Sequence, residues 1–269
     1  VDEVRRKFFG TLYNTYSFFA LYANVDGFDP TAAQVPYSER PEIDRWLISL
    51  TNTLISKVTA AYEDYDVTLA GRLIQDFVCD HLSNWYVRLN RKRFWGGSLD
   101  QDKLAAYQTL YEALVDVAVL AAPIAPFYMD RLYLDLVPDG EDSVHFTLMP
   151  QADSILINSA LEERMELAQK ATSMVLALRR KVSIKVRQPL SKLVIPVISD
   201  SVREQLEQVK DLMSRRTIYE ATNRRAAELE DLWVQEPENR ATASFGRNWG
   251  YYVGMDSISA YYVAKHEET

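Results

Sequence analysis

Residues Asp66 to Gly97 read DVTLAGRLIQDFVCDHLSNWYVRLNRKRFWGG, and this stretch decides the fold. Asp66 is a capping residue type, the segment from Val67 to about Phe94 keeps the helical period, and Gly96-Gly97 supplies a stop. The spacing therefore predicts one long helix, the longest periodic element of the chain. Projected at about 100° per residue, its second half separates into two faces. Val78, Leu82, Trp85 and Leu89 fall on one side; Asp80, Asn84, Arg88 and Arg91 fall on the other. The first face belongs in a core, the second in solvent.

On the N-terminal side, Val4, Phe8, Leu12, Tyr13, Tyr16 and Phe19 recur at helical steps and predict a helix over Glu3 to Ala23. Asp26-Gly27 and Asp29-Pro30 are turn chemistry, after which Pro41 suits the start of a second helix whose stripe is Ile43, Leu47, Leu50, Leu54 and Val58. On the C-terminal side, Lys103 to Ala121 is a very apolar fourth helix. The run Ala122-Pro123-Ile124-Ala125-Pro126 stops it, and Phe127 to Leu136 forms a short fifth. Consecutive helices of this kind imply an antiparallel bundle.

Beyond Pro138-Asp139-Gly140 the character changes. Ala160 to Lys181 is again helical, Leu193 to Ile198 is a β-branched run suited to a strand, and Ser201 with Glu204 fits a capping box. The expected organisation is a helical bundle over 1–150, a small mixed α/β extension over 151–213, and a tail over 214–269 whose pattern does not resolve into elements. The fold class is mainly α. The N-terminal sequence VDEVRRK carries neither an initiator Met nor a signal pattern, which makes it an expected internal segment of a longer protein.

Composition narrows function. With 30 Lys and Arg against 38 Asp and Glu, the 269-residue chain carries a formal charge of −8, so nucleic acid would have to be met by local patches. The stretch Ala113 to Met129 is the most apolar, and Asp116, Pro123 and Pro126 interrupt it, arguing against a membrane span. Cys79 is the single cysteine and sits among apolar helical neighbours, where a small buried hydrophobe is the plain reading. His81, His145 and His266 have no metal-ligand spacing, and the expectations are no metal, no cofactor and a reducing cytoplasm. No Gly-rich phosphate loop, G-x-G-x-x-G or H-x-G-H signature is present, so no catalytic residue is assigned. Carboxylate pairs such as Asp64 with Asp66 and Glu162 with Glu163 read as solvated helix ends.

Two basic stretches stand out in this acidic chain. Arg88, Arg91, Lys92 and Arg93 cluster with Trp95 at the end of the long helix. Arginine offers a planar fork of donors to phosphates and base edges, and tryptophan offers a face for an unpaired base, a combination suited to single-stranded RNA loops. Trp95, beyond the amphipathic stripe, is the stacking candidate, whereas Trp85 belongs to the core. The plain alternative is a solvated helix face whose cations suit the negative end of the helix dipole. Arg179 to Lys192 reads RRKVSIKVRQPLSK, six basic residues and no acid, open to the same two readings.

Several strings then occur in a family order: Lys7-Phe8-Phe9, Thr11-Leu12-Tyr13-Asn14-Thr15-Tyr16, Asp44-Arg45-Trp46, Leu82-Ser83-Asn84-Trp85-Tyr86-Val87-Arg88 with Arg91-Lys92-Arg93-Phe94-Trp95, Ala122-Pro123, Ser143-Val144-His145 and Arg187-Gln188-Pro189-Leu190. Together they resemble the anticodon-binding region of isoleucyl-tRNA synthetases, class Ia enzymes; the valyl branch is similar in layout and diverges in the long-helix string. The resemblance implies a bundle that receives the tRNA-Ile anticodon stem-loop, within a parent that ligates isoleucine to tRNA using ATP and magnesium. It implies RNA-facing roles for Asn84, Arg88, Arg91, Lys92, Arg93 and Trp95, and backbone contacts for Arg179, Arg180 and Lys181. The remainder of the synthetase is the other implied partner. The competing expectation is a helical scaffold or protein-interaction module.

Overall fold

The computed structural model describes residues 2–95, 97–185, 188, 192–196, 200–209, 233–236, 240–243, 250–253 and 260–262. The chain divides into two compact units, 1–162 and 163–269.

Among the described residues, the first unit has five long helices, with short 3-10 turns at Tyr37–Glu39 and Val144–Phe146. Helix α1 covers 2–26, with a π-wound stretch Arg5–Phe9 ahead of the regular Gly10–Asp26. It runs three residues past Ala23 because Gly27, at φ 66°, is the first residue able to adopt the left-handed turn that closes it. Helix α2 is Glu42–Glu63, preceded by Pro41 at the cap. Helix α3 covers 67–94, and Asp66 Oδ1 accepts the Leu69 N–H at 2.8 Å as its N-cap. Its middle, Phe77–Val87, is π-wound. A wider turn brings more residues to the inner face than a projection at 100° allows: Phe77, Tyr86 and Val87 are buried beside Val78, Leu82, Trp85 and Leu89.

Helix α4, Gln101–Ala121, is capped by Asp100, whose Oδ1 accepts the Lys103 N–H at 2.8 Å. By length and composition alone it could cross a membrane, yet 67% of its most apolar stretch is buried inside the fold. It touches α1, α2, α3 and the next helix, α5, Pro126–Leu136, which makes it the centre of the bundle. Leu110, Leu114, Val117 and Ala118 on α4 and Leu12, Leu47 and Val58 opposite are fully buried. The loop after α5 is secured by Asp130, whose Oδ1 accepts from Ser143 Oγ at 2.6 Å and from the Val144 N–H at 2.9 Å. Glu162 is not the solvated carboxylate expected: it accepts from Thr53 Oγ1 at 2.8 Å and from Ser49 Oγ on α2.

In the second unit, helix α6, Ser159–Lys181, continues from the first and buries Met165, Ala168, Val175 and Leu178. Strand β1, Lys192–Pro196, is followed by α7, Asp200–Gln208. Because α7 starts at Asp200, Ser201 lies in its first turn instead of capping it. Strands β2, Trp233–Glu236, β3, Arg240–Ala243, β4, Gly250–Val253, and β5, Ala260–Tyr262, complete a sheet in the order β2-β3-β1-β4-β5. β1 pairs antiparallel with β3 and parallel with β4. Val197 and Ile198, expected to extend β1, and most of the tail from 214 lie outside the described residues.

Two local features can be tested by stability. Tyr65 closes α2 at φ 59° in a Schellman turn, with the Asp66 N–H bonded to Ala61 O at 2.8 Å, while its side chain is almost wholly exposed. Tyr65→Gly removes Cβ strain with no packing loss, and urea unfolding should show a gain of a few tenths to about 1 kcal/mol. Asp116, half-buried on α4 and one turn from Glu112, has its carboxyl pushed up to about 7, first by burial and then by the Glu112 charge. The unfolded chain sheds this proton near pH ~4, so stability is complete below that, falls as pH rises to the folded value and is flat above it. Asp116→Asn should therefore stabilise by on the order of 2 kcal/mol at pH 8 and by little at pH 4.

Candidate nucleic-acid interface

The site is the end of α3 and the turn into α4. Its foundation is a carboxylate that has no water to face. Asp44 lies on the inner side of α2 with a fully buried side chain, and a buried charge needs a partner. Arg93 Nη1 donates to Asp44 Oδ1 at 2.7 Å and Nη2 to Asp44 Oδ2 at 2.8 Å, a bidentate fork. Tyr86 Oη donates to Asp44 Oδ1 at 2.8 Å and approaches Ala106 O on α4 at 3.3 Å. Arg93 Nε reaches Asp102 Oδ2 at 2.9 Å, Nη2 also reaches Asp102 O at 2.6 Å, and Nη1 also reaches Asn90 Oδ1 at 3.2 Å. Burial works against the Arg93 cation, but the Asp44 bonds, the Asp44 charge and the Asp102 bond outweigh it and hold the guanidinium charged. Burial, then the Asp44 carboxylate, drives the Tyr86 phenol well above its ordinary range, so it remains a donor.

An aromatic cluster fixes the next residue. Phe94 is fully buried, edge-on to Tyr107 of α4 at 5.0 Å between centroids and to Phe18 of α1 at 5.2 Å. The chain leaves the helix at Trp95, which is extended at φ −90° and ψ 107° and is 48% exposed. Gly97, at φ 76°, allows the turn towards Asp100. Beside this turn Lys92, Arg93, Gly97, Ser98, Asp100, Asp102 and Lys103 line a polar cleft of about 340 Å³.

Of the residues grouped as RNA-facing by their sequence, Asn84, Arg91, Lys92 and Trp95 are exposed and Arg88 is half-buried. Burial, and then the charge of Arg91, lowers the Arg88 guanidinium, so the two cations are close enough to repel. Arg93 departs from the group. A guanidinium has five N–H donors, and all of them are engaged inside the fold. In the second unit Arg179 departs likewise: it is 2% exposed, and its Nη1 donates to Lys185 O at 2.7 Å and Gln188 O at 2.9 Å, while Arg180 and Lys181 are exposed. Val186, Arg187 and Pro189 to Ser191, the rest of that basic stretch, lie outside the described residues. Cys79 is half-buried, its Sγ donating to Lys7 O at 3.3 Å, and burial pushes its thiol up.

Reading the sequence missed Asp44, Tyr86 and Asp102. A signal existed for Asp44: an acid flanked by Ile43, Trp46 and Leu47 on a buried helix face demands a cation.

A bundle end presenting arginines, a lysine and an open tryptophan beside a polar cleft has the planar donors and the aromatic face that an RNA loop could meet. The chain belongs to the family described as the anticodon-binding domain of tRNA ligases, which matches residues 44–195 and so begins on Asp44 itself. It is similar to the isoleucine–tRNA ligase of Bacteroides fragilis, 60% identical over 217 residues, covering 79% of this chain and 19% of that protein. The Thermus thermophilus isoleucine–tRNA ligase is 44% identical over 211 residues, 77% of this chain and 20% of the relative. The Dehalococcoides mccartyi enzyme is 41% identical over 248 residues, 91% of this chain and 24% of that protein. A match to 91% of a 269-residue chain necessarily passes Met213, so family similarity extends into the tail, beyond where the motifs could be followed. The chain spans about a fifth of the length of these relatives.

The hub gives a stability test. Tyr86→Phe removes one donor from Asp44 while keeping the ring in its site, and thermal unfolding should show a loss of about 1–2 kcal/mol. No change in unfolding would mean that the phenol is not bound to the carboxylate.

Proposed function

We propose that this chain is the part of an isoleucine–tRNA ligase that binds the anticodon stem-loop of tRNA-Ile, and that the parent joins isoleucine to that tRNA with ATP through an aminoacyl-adenylate. The observation that carries the reading is Trp95, half-exposed on a helix end, with Arg88, Arg91 and Lys92 on the preceding turns. An unpaired base stacks on the indole, while the cations meet phosphates and base edges around it. Asn84, one turn before Arg88, offers both a donor and an acceptor to a base edge. The polar cleft at this turn sets Lys92 and Ser98 near the Asp100 and Asp102 carboxylates, which suits the mixed donors and acceptors of a base better than a bare phosphate. Arg180 and Lys181 would add contacts to the tRNA backbone. ATP and magnesium chemistry belongs to the remainder of the enzyme, and the parent works in the cytoplasm.

Anisotropy titration of the chain with isoleucine tRNA should give an affinity whose logarithm falls with log salt by about 0.7–0.9 per neutralised phosphate, and Arg91→Ala should reduce that slope by about one such step. Trp95→Ala should weaken binding by about 1–3 kcal/mol, and Trp95→Phe by less. An unrelated tRNA binding equally well, or indifference to Trp95→Ala, contradicts the proposal and leaves a helical protein-interaction module as the reading.

A further inference from the structure

Asp44 and Arg93 are the most completely satisfied charges at the site, and neither has a group left for a ligand. Asp44 is fully buried on α2, and the Arg93 side chain is 15% exposed. Their bonds join three helices: α2 through Asp44, α3 through Tyr86, Asn90 and Arg93, and α4 through Asp102 and Ala106. Asn90 braces the same turn, its Nδ2 donating to Tyr86 O at 2.9 Å while its Oδ1 receives Arg93. Arg93 sits between Arg91 and Lys92 on one side and Phe94 and Trp95 on the other. Whatever fixes Arg93 therefore fixes where its neighbours point.

We infer that the buried Asp44–Arg93 pair is a positioning latch for RNA binding: it does not touch RNA, and it holds the end of α3 so that Arg91, Lys92 and Trp95 present one rigid surface. The inference rests on the RNA-binding reading above. It differs from a direct role for Arg93 in a measurable way. A residue that neutralises a phosphate contributes to the salt dependence of binding, and a residue that only orients others does not. Asp44 separates the cases further by sign. Asp44→Asn takes the net charge from −8 to −7, which by overall electrostatics favours binding to a polyanion, whereas release of the latch weakens it.

The test is a titration of isoleucine tRNA at several salt concentrations against the full 269-residue chain and four variants. Asp44→Asn, and Arg93→Gln, which removes both the charge and the fork, should each bind about ten-fold more weakly with an unchanged salt slope, a loss comparable to one stacking contact. Asp102→Ala removes only the outer, half-exposed carboxylate and leaves the buried pair in place, so it should fold as the parent does and show a smaller loss in the same direction. Val117→Ala, a fully buried position on α4 away from the site, should lower the melting temperature without weakening binding, separating loss of position from loss of stability. Amide exchange over residues 88–95 should rise in Asp44→Asn and stay unchanged in Val117→Ala. The latch is overturned if Asp44→Asn binds as tightly as the parent sequence or more tightly, if Arg93→Gln lowers the salt slope by about one phosphate step, or if Val117→Ala weakens binding equally. If the unaltered chain binds no tRNA, the proposed function fails first, and the latch fails with it.

Discussion

The structure turns on one buried ion pair. Moving a carboxylate and a guanidinium out of water is unfavourable by several kcal/mol each, and their attraction offsets this only when the geometry is good and the remaining donors are satisfied. Here the fork is bidentate and every other Arg93 N–H is used, so the condition is met. Such a pair adds little net stability compared with apolar packing, but it tolerates few arrangements. Apolar side chains between α2, α3 and α4 could slide by part of a turn at small penalty; the Asp44–Arg93–Asp102 chain could not. Register is what the pair supplies, and the aromatic contacts of Phe94 with Phe18 and Tyr107 extend it to α1.

This division of labour shapes the charge distribution. An acidic chain gains no general attraction for RNA, so affinity must come from a small region where cations outnumber acids locally. In a sequence with Arg88, Arg91, Lys92 and Arg93 so close together, all four look equivalent. The fold separates them. Arg93 turns inward and is neutralised by Asp44 and Asp102, while Arg91 and Lys92 remain outside and Arg88 lies between. In the proposed latch, the inward arginine would keep the outward cations from rearranging with the helix end, so less ordering entropy would be lost on binding.

Helix existence and order were readable from periodicity and capping: Asp66 and the Pro123 to Pro126 break mark boundaries by local rules, and those rules act locally in the fold, whereas the Asp100 cap that starts α4 at Gln101 was not read. The exceptions have physical causes. Gly27, not Ala23, ends α1 because only the glycine takes the left-handed turn without strain. The core face of α3 is wider than its projection because the π-wound stretch Phe77–Val87 alters the angle per residue, and nothing in composition announces a π-turn. At the site, the exposure of Trp95 and the burial of Trp85 follow from their places relative to the amphipathic stripe. The engagement of Arg93 does not, because its partners are 49 and nine residues away and a charge count is blind to pairing. Arg179 was hidden for the same reason: its partners are backbone carbonyls beyond the end of its helix.

Hydrogen–deuterium exchange of the chain with and without isoleucine tRNA decides whether the end of α3 is the RNA-binding surface. Binding there should slow exchange at residues 84–95 and in the turn leading to Asp100, with α5 unchanged. Protection elsewhere in the bundle, with residues 84–95 exchanging as in the unbound chain, would contradict it.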